Sequence, residues 1–372
     1  MTAPHAGAEL PHEARLDWLR LTRTPDVGPV TFNQLIQRFG DAAAAIEALP
    51  RLAQRGGRTA PLPIPSRADA EHELRAGERL GAALICACEP DFPALLAAVD
   101  PPPPVIWARG RRELLARRGV GVVGARIASA AGQRFARGLA KDIGEAGFLV
   151  VSGMARGIDG AAHDGAMATG TVAVLGGGVD DIFPPEHATL YARLVEEGCV
   201  IAETWPGAKA KAKDFPRRNR LISGLSLAVV VVEAELRSGS LITARLAGEQ
   251  GREVLAVPGS PLDPRAKGTN DLIRQGAALC EGAEDVLRAL NEGLGHGLRE
   301  PPTPGYDPAG PEPADAALIE RIADLLSPTP TSRDDLARAA AATAPAVYAA
   351  LMELAIAGRA ELLPGGFVTS LD

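Results

Sequence analysis

The stretch that decides the fold is Gly119-Val-Gly-Val-Val-Gly124-Ala-Arg126-Ile-Ala-Ser129. Its first half is a short apolar run typical of a buried strand. Ser129 suits the N-cap of a following helix, in which large apolar residues recur at every fourth position. Gly147 suits the end of that helix. The stretch therefore predicts a strand followed by a crossover helix.

Runs of Val, Ile and Leu continue this alternation with helical segments to about residue 290. Near-continuous apolar runs of this kind are typical of parallel strands that are covered on both faces. The six predicted strands are Val120–Val123, Phe148–Val151, Thr171–Leu175, Cys199–Ala202, Leu227–Val232 and Glu253–Val257. We predict an α/β fold with an extended Rossmann-like, doubly wound, mostly parallel sheet, whose ligands lie at the carboxyl ends of the strands.

Smaller modules flank this core. Apolar residues at helical spacing around Val27-Gly28-Pro29 predict a small helical domain, which resembles sterile-alpha-motif or helix-hairpin-helix domains; such a module either packs on the core or contacts DNA through its hairpin. After a Gly- and Pro-rich segment, three helical patterns and two short strands around Pro364-Gly365-Gly366 predict a winged helix. The expected domains are 1–75 (helical), 76–292 (core), 293–313 (linker) and 314–372 (winged helix).

The winged helix has an unfavourable charge for a reader of duplex DNA. Residues 314–372 contain eight acidic residues against four arginines, and the predicted third helix is almost free of positive charge. Contact with protein is therefore favoured over contact with duplex DNA. A further hypothesis is that this acidic module folds over a basic pocket of the core and competes with DNA.

Composition limits the function classes. The 372 residues are 46% hydrophobic and 23% charged, which excludes global disorder, and the net charge of -7 requires any nucleic-acid site to be a local basic patch. Four cysteines, with a single close C-x-C pair, do not form a disulfide framework. No apolar stretch reaches the length of a membrane span. A cytoplasmic protein without membrane contact is expected.

Motifs for common cofactors are missing. Gly119-Val-Gly121-Val-Val-Gly124 matches G-x-G-x-x-G, but its glycines lie inside the first strand, and Ser152 stands where a dinucleotide site needs an acid. The P-loop pattern G-x-x-x-x-G-K-[ST] does not occur. The six histidines are scattered, without metal-ligand spacing. No cofactor and no metal are predicted.

Four Gly/Ser-rich turns and one basic segment predict a nucleic-acid site instead. Backbone amides at such turns bind phosphate, and a basic segment with an aromatic residue binds single strands. The segment 209–220 has six basic residues against one acid and includes Phe215. The predicted contacts with single-stranded DNA are Gly124, Arg126, Ser152, Gly153, Arg156, Lys213, Phe215, Arg217, Arg218, Asn219, Arg220, Ser238 and Gly239.

Three further polar residues invite a catalytic interpretation. Asp159 and His163 lie one helical turn apart, and Glu233 ends a strand, so an acid–base pair or a glycosyl-cleaving carboxylate is conceivable. No partner nucleophile is evident. We favour loop-anchoring roles for all three and predict no catalytic residue.

Long motifs in this order resemble the DprA/Smf family of DNA-processing proteins. The matching segments cover roughly residues 84–290 and include Val122-Val-Gly124-Ala-Arg126, Ser152-Gly-Met-Ala-Arg-Gly-Ile-Asp159-Gly-Ala-Ala-His163, Phe215-Pro-Arg-Arg-Asn-Arg-Leu-Ile-Ser-Gly-Leu-Ser226, Ser238-Gly-Ser-Leu-Ile-Thr-Ala244 and Val257-Pro-Gly259. One departure is Ala125, where the family commonly has Ser.

The resemblance implies a non-enzymatic protein that binds incoming single-stranded DNA, protects it from nucleases and helps load the RecA recombinase during natural transformation. It also implies a homodimer formed through the core, and a basic DNA pocket at Arg126 and the segment 215–220. The alternative is a phosphoribohydrolase of the LOG type on a related core. Its P-G-G-x-G-T-x-x-E signature is absent, because Thr243 is followed by Ala244 and Arg245 without a nearby acid.

Overall fold

The computed structural model describes residues 9–295 and 315–371. A nine-stranded sheet forms the core, in the order β1-β2-β6-β5-β4-β3-β7-β8-β9. Strands β3 to β9 are parallel, whereas β2 pairs antiparallel with β6 and β1 antiparallel with β2. The strands are β1 (Ala82–Cys86), β2 (Val105–Gly110), β3 (Gly119–Gly124), β4 (Leu149–Ser152), β5 (Thr171–Val174), β6 (Cys199–Ala202), β7 (Ser226–Val232), β8 (Glu253–Ala256) and β9 (Ala278–Leu279).

The six predicted strands are confirmed as β3 to β8, with ends shifted by at most one residue. The prediction missed β1, β2 and β9, which lie at the two edges of the sheet. Strand β9 has two residues, both exposed, so it carries no apolar run that a sequence pattern could detect.

Helices cover both faces of the sheet. Helices α6, α7 and α12 belong to one apolar cluster, and α9 and α10 belong to the cluster on the opposite face. In α6 the Ser129 hydroxyl accepts a hydrogen bond from Gly132 N (2.9 Å), which confirms the predicted N-cap. The core helices are α5 (Ala94–Ala97), α6 (Ala130–Glu145), α7 (Ile158–Ala166), α8 (Ala188–Glu197), α9 (Asp214–Gly224), α10 (Gly239–Glu249), α11 (Lys267–Arg274) and α12 (Ala283–Gly295).

The N-terminal module is helical, as predicted. It contains α1 (His12–Arg23), α2 (Pro29–Phe39), α3 (Ala42–Arg55) and α4 (Arg67–Arg79). Helix α4 crosses the boundary expected at residue 75 and packs on β1. Trp107 of β2 is fully buried there, and its indole N–H donates to Glu73 of α4 (3.1 Å).

The C-terminal module is a winged helix, as predicted, with one additional short strand. It contains α13 (Ala316–Leu325), β10 (Thr331–Ser332), α14 (Arg333–Ala340), α15 (Ala344–Ile356), β11 (Ala360–Leu363) and β12 (Phe367–Ser370). Its sheet has the order β10-β12-β11. Within the described residues, α15 packs against α2 and α3 of the N-terminal module. The expected linker lies outside the described residues from 296 onward.

Candidate functional site

The crevice between β3 and β7 is the point at which strand order reverses, where ligands of doubly wound sheets usually bind. Here the crevice is occupied by Glu233, which follows β7 and has a positive φ of 53°. Its carboxylate accepts hydrogen bonds from Ser129 N (2.8 Å) and from the Ser129 hydroxyl (2.5 Å) at the start of α6. Gly132 leaves room for it, since a Cβ there would lie 2.7 Å from Glu233 Oε1. An internal anion therefore occupies the helix N-terminus that binds phosphate in nucleotide sites.

A cleft opens one step further along the same sheet edge, beside the ends of β4 and β5. The rings of Phe183 and Phe215 form one wall, with centroids 5.4 Å apart and planes tilted by 46°. The Arg126 guanidinium lies 5.5 Å from the Phe215 ring centroid, within the range of a cation–π contact. The cleft is lined by Arg126, Gly153, Ala155, Arg156, Phe183, Pro184, Phe215 and Arg218. Its surface is therefore aromatic and cationic.

Arg218 forms the floor of this cleft. Its side chain is only 7% exposed, and Nη1 donates to the Val174 carbonyl at the end of β5. A Cβ on Gly153 would lie 2.2 Å from Arg218 Nη1, so only glycine fits above the guanidinium. Burial lowers the pKa of Arg218 to about 10, and the nearby Asp159 carboxylate opposes this shift. The floor therefore remains positive at neutral pH.

Asp159 organises the turn after β4. Its carboxylate accepts hydrogen bonds from Gly153 N (3.1 Å) and Ala155 N (3.3 Å). Burial raises its pKa, and the charge of Arg218 counteracts the rise. The Ser152 hydroxyl donates to the Val122 carbonyl (2.6 Å). The Gly153 amide and the Ser152 hydroxyl thus have partners inside the fold, and their predicted contact with DNA stays a prediction.

Exposed cations lie on the segments that form the cleft: Arg126 and Arg156 line it, and Lys213 and Arg217 flank Phe215 in sequence. Arg156 forms an ion pair with Glu186. Arg126, Lys213 and Arg217 are exposed, and no ion pair is recorded for them within residues 9–295 and 315–371. These three side chains are therefore available to an external anion.

The other predicted contacts lie in supporting positions. Asn219 donates from Nδ2 to the Gly239 carbonyl (3.2 Å), which ties α9 to α10. Arg220 donates from Nη2 to both carboxylate oxygens of Glu203 (2.5 and 2.6 Å). The charge of Arg220 is therefore already balanced.

Two more predicted residues are likewise used in packing. The Ser238 hydroxyl contacts the Ser240 hydroxyl (2.7 Å) at the N-terminus of α10. At Gly124 a Cβ would lie 1.8 Å from the Val232 carbonyl oxygen, so this glycine permits the close approach of β3 and β7. None of the four residues Asn219, Arg220, Ser238 and Gly124 lines the cleft.

Phe183 was missed by the sequence analysis. It is 49% exposed and follows the Gly176-Gly177-Gly178 turn after β5. A lone aromatic residue after a glycine-rich turn was the available signal. Only the fold brings it beside Phe215, which lies 32 residues further along the chain.

Comparisons with known proteins identify the family. Residues 83–291, more than half of the chain, match the family described as DNA recombination-mediator protein A. Residues 12–76 match the DprA-like N-terminal HHH domain, and residues 307–366 match the DprA winged helix domain. Protein Smf of Escherichia coli K12 is 40% identical over 293 residues, covering 77% of this chain and 76% of that protein. The chain belongs to the DprA/Smf family.

Further DprA proteins are similar to this chain. DNA processing protein DprA of Bacillus subtilis is 43% identical over 204 residues, covering 54% of this chain and 69% of that protein. The X-ray structure of Streptococcus pneumoniae DprA has a TM-score of 0.63 and 29% identity, and covers 73% of this chain and 97% of that chain. A Helicobacter pylori DprA structure, described by its single-stranded DNA binding mode, shares the fold at 24% identity, with a TM-score of 0.52 and coverage of 57% and 96%.

Neither a metal site nor a membrane span is favoured by the geometry of the described residues. Within the part that the structure describes, no group of three or more His, Cys, Asp or Glu residues is placed to hold a metal ion. In the same residues no single helix has the length and apolarity to cross a membrane; only the bent pair α14 and α15, taken together, reaches those limits.

The buried histidine of the family motif is neutral. Thr171 donates from Oγ1 to the Val150 carbonyl (2.9 Å), so it accepts from His163 Nδ1, 2.8 Å away. Burial, together with the nearby His187 and Arg218, lowers the pKa of His163 to about 3. His163 therefore braces α7 against β5 as an uncharged side chain.

This histidine gives the fold a predictable acid sensitivity. Its pKa is lower in the folded chain than in the unfolded chain, so between pH 6.5 and about 3 the unfolded state binds more protons. As the pH is lowered through that window, the free energy of unfolding should fall by up to about 1.4 kcal/mol per pH unit. Above pH 6.5 this contribution of His163 is complete. Urea titrations from pH 4 to 7 measure this slope.

Two variants test the assignment of the slope to His163. His163→Asn, which can still donate to Thr171, should flatten the slope, whereas His72→Asn, at an exposed position, should keep it. Equal slopes in the wild type and both variants would contradict the account.

Proposed function

We propose that this DprA-family protein is a non-enzymatic, single-stranded-DNA-binding recombination mediator. It binds DNA in the cleft of Phe183, Phe215 and Arg218, protects incoming DNA and helps load RecA during natural transformation. It acts in the cytoplasm as a homodimer formed through the core. The observation that carries the DNA-binding part is the aromatic pair Phe183–Phe215 in a cleft that is also lined by Arg126, Arg156 and Arg218.

The cleft suits an unpaired strand for two physical reasons. Arg126, Lys213 and Arg217 can approach successive phosphates, whose neutralisation releases counterions. Phe215 and Phe183 offer ring faces to bases that are not already stacked in a duplex. Arg218 adds a fixed positive charge beneath the rings. The Helicobacter pylori DprA protein, whose fold this chain shares, binds single-stranded DNA, which supports this assignment.

The lining of the cleft supports a binding role over the phosphoribohydrolase alternative. Cleavage of a glycosyl bond requires carboxylates at the reacting carbon. The eight lining residues include no Asp, Glu or His. Glu233 and Asp159, the two carboxylates considered for catalysis, both accept hydrogen bonds from backbone amides. Incubation with nucleoside monophosphates is expected to release no free base.

We also propose that the chain divides as 1–75, 76–292, a linker at 293–313, and 314–372, with α4 and α12 each extending a few residues past its boundary. The separate apolar core of the winged helix supports the last boundary. The cluster shared by the N-terminal helices and one sheet edge indicates that the first two parts pack as neighbours.

Fluorescence anisotropy of one labelled oligonucleotide, single-stranded or annealed to its complement, tests this function. Measured at several salt concentrations, the single strand should bind more tightly and weaken by about 0.7 log units per tenfold salt for each neutralised phosphate. Equal affinity for the duplex, or no binding at low salt, would contradict the proposal.

A further inference from the structure

The third helix of the winged helix has two buried faces. Val347, Leu351 and Leu354 lie in the core of the winged helix itself. Met352 and Ile356, which are 3% and 0% exposed, belong instead to the apolar cluster of the N-terminal helices. In DNA-reading modules of this kind the corresponding helix inserts into the major groove. Here that helix is covered by another part of the same chain.

Polar contacts accompany the apolar ones at this seam. The Glu353 side chain is fully buried, and its Oε2 lies 3.2 Å from Arg55 Nε on α3. Arg58 donates to the Ile356 carbonyl (3.5 Å), and Arg359 donates to the Gly56 carbonyl (3.3 Å). The acidic winged helix thus meets a basic surface of the N-terminal module.

Some buried polar atoms between α15 and the N-terminal helices lack a hydrogen bond, however. Glu353 Oε2 has the ion-pair contact with Arg55, but neither carboxylate oxygen accepts a hydrogen bond within the described residues, and Gln34 Oε1 and Arg38 Nη1 of α2 are likewise buried without one. Burial raises the pKa of Glu353, against the charges of Arg55 and Arg38. Partly satisfied buried polar groups destabilise a contact, because separation returns them to water. Apolar burial and polar mismatch therefore oppose each other at this seam.

We propose that the α2–α3 face of the N-terminal module is a helix-binding surface whose resident ligand is α15 of the same chain, docked reversibly. The surface selects an apolar helix that carries one carboxylate, because Arg38 and Arg55 flank the point at which Glu353 enters. While docked, the winged helix cannot use the Met352 and Ile356 face for DNA or protein. Release of α15 exposes that face and the helix-binding surface together.

Gly56 provides a variant that acts on the seam alone. Its φ of -71° suits any residue, but a Cβ would lie 2.0 Å from the Glu353 carbonyl oxygen and 2.7 Å from Ala357 Cβ, both on the winged helix. Gly56→Ala should therefore undock α15 without strain inside either module. Gly28→Ala is the matched control, since Gly28 has a φ of -80° and no atom within 4 Å of the added Cβ.

Peroxide oxidation of Met352, followed by mass spectrometry of the full chain, reports docking directly. Met352 should be protected in the wild type and in Gly28→Ala, and should oxidise at least about tenfold faster in Gly56→Ala, the change that a loss of ~1.4 kcal/mol of docking free energy gives. Met154 and Met167, which are 0% and 3% exposed in the core, serve as internal references and should not change. Protection should not depend on protein concentration, because the contact is within one chain.

Three results would overturn the proposal. They are rapid Met352 oxidation in the wild type, unchanged protection in Gly56→Ala, and protection that rises with protein concentration. A second variant checks the charge pairing: Arg55→Glu should expose Met352, and adding Glu353→Gln should restore part of its protection by removing the like-charge contact. Failure of Arg55→Glu to expose Met352 would count against the selection of a carboxylate.

Discussion

Replacing Arg126, Lys213 and Arg217 together by glutamine should weaken single-stranded DNA binding by about a hundredfold at ~0.1 M salt. Each lost phosphate contact removes about 0.7 from the slope of log affinity against log salt, so three contacts remove about 2. All three side chains are exposed and have no recorded ion pair within the described residues, so the fold should tolerate the change. Anisotropy titrations between about 50 and 300 mM salt measure the slope, because the Debye length shortens considerably over that range.

A control variant with the same change in net charge separates the effect of contacts at the cleft from the effect of the protein's overall charge. Arg245, Arg274 and Arg288 are 65–73% exposed, and each pairs with an acid on its own helix. Their joint replacement by glutamine should leave the slope close to that of the wild type. Equal losses in both triple variants would mean that net charge, and not the cleft, determines binding.

Replacing both Phe183 and Phe215 by alanine should reduce single-strand affinity by at least about tenfold. Base–aromatic stacking is worth about 1–3 kcal/mol per base, which is roughly 5- to 150-fold in affinity. In contrast to the cation triple, this variant should keep the wild-type salt slope, because no charge is removed. Affinity measurements on the two single variants and the double variant show whether the ring pair acts as one surface.

Phe367→Ala is the matched control for the aromatic pair. Phe367 is a 44% exposed phenylalanine on the winged helix, distant in sequence from the cleft. It should leave affinity unchanged. A loss of affinity in Phe367→Ala that matches the double variant, or a wild-type affinity in the double variant, would contradict the stacking role.

The central strands could be predicted because their apolar runs are long and covered on both sides. Val122 and Val123, for example, face opposite clusters of the core, so neither position tolerates a polar residue. The edge strands could not be predicted in the same way. Strand β9 is short and exposed, and β1 and β2 are antiparallel additions outside the alternating pattern.

Prediction of the site was limited by contacts between distant segments. Arg126 and Phe215 could be proposed from turn chemistry and local charge, and the structure brings them together. The pairing of Arg220 with Glu203 depends on a loop that precedes α9, so its balanced charge is not visible in the basic segment. Phe183 enters the cleft only because β5 lies beside β4.

The surface on which the winged helix packs could not be predicted from the sequence either. The negative charge of the winged helix favoured contact with protein over duplex DNA, and the further hypothesis placed the module over the basic DNA pocket. The structure places α15 on the N-terminal helices, where Arg55 and Arg38 surround Glu353. A single acid in an apolar helix does not indicate which distant arginines it meets.

Photocrosslinking tests the central claim most directly, because it shows where the strand lies. A single-stranded oligonucleotide carrying 5-iododeoxyuridine would be irradiated with the full chain, and the crosslinked peptides identified by mass spectrometry. The account predicts crosslinks at Phe215 or Phe183, which disappear in the double alanine variant. Crosslinks confined to the hairpin before α2 or to the winged helix would contradict it.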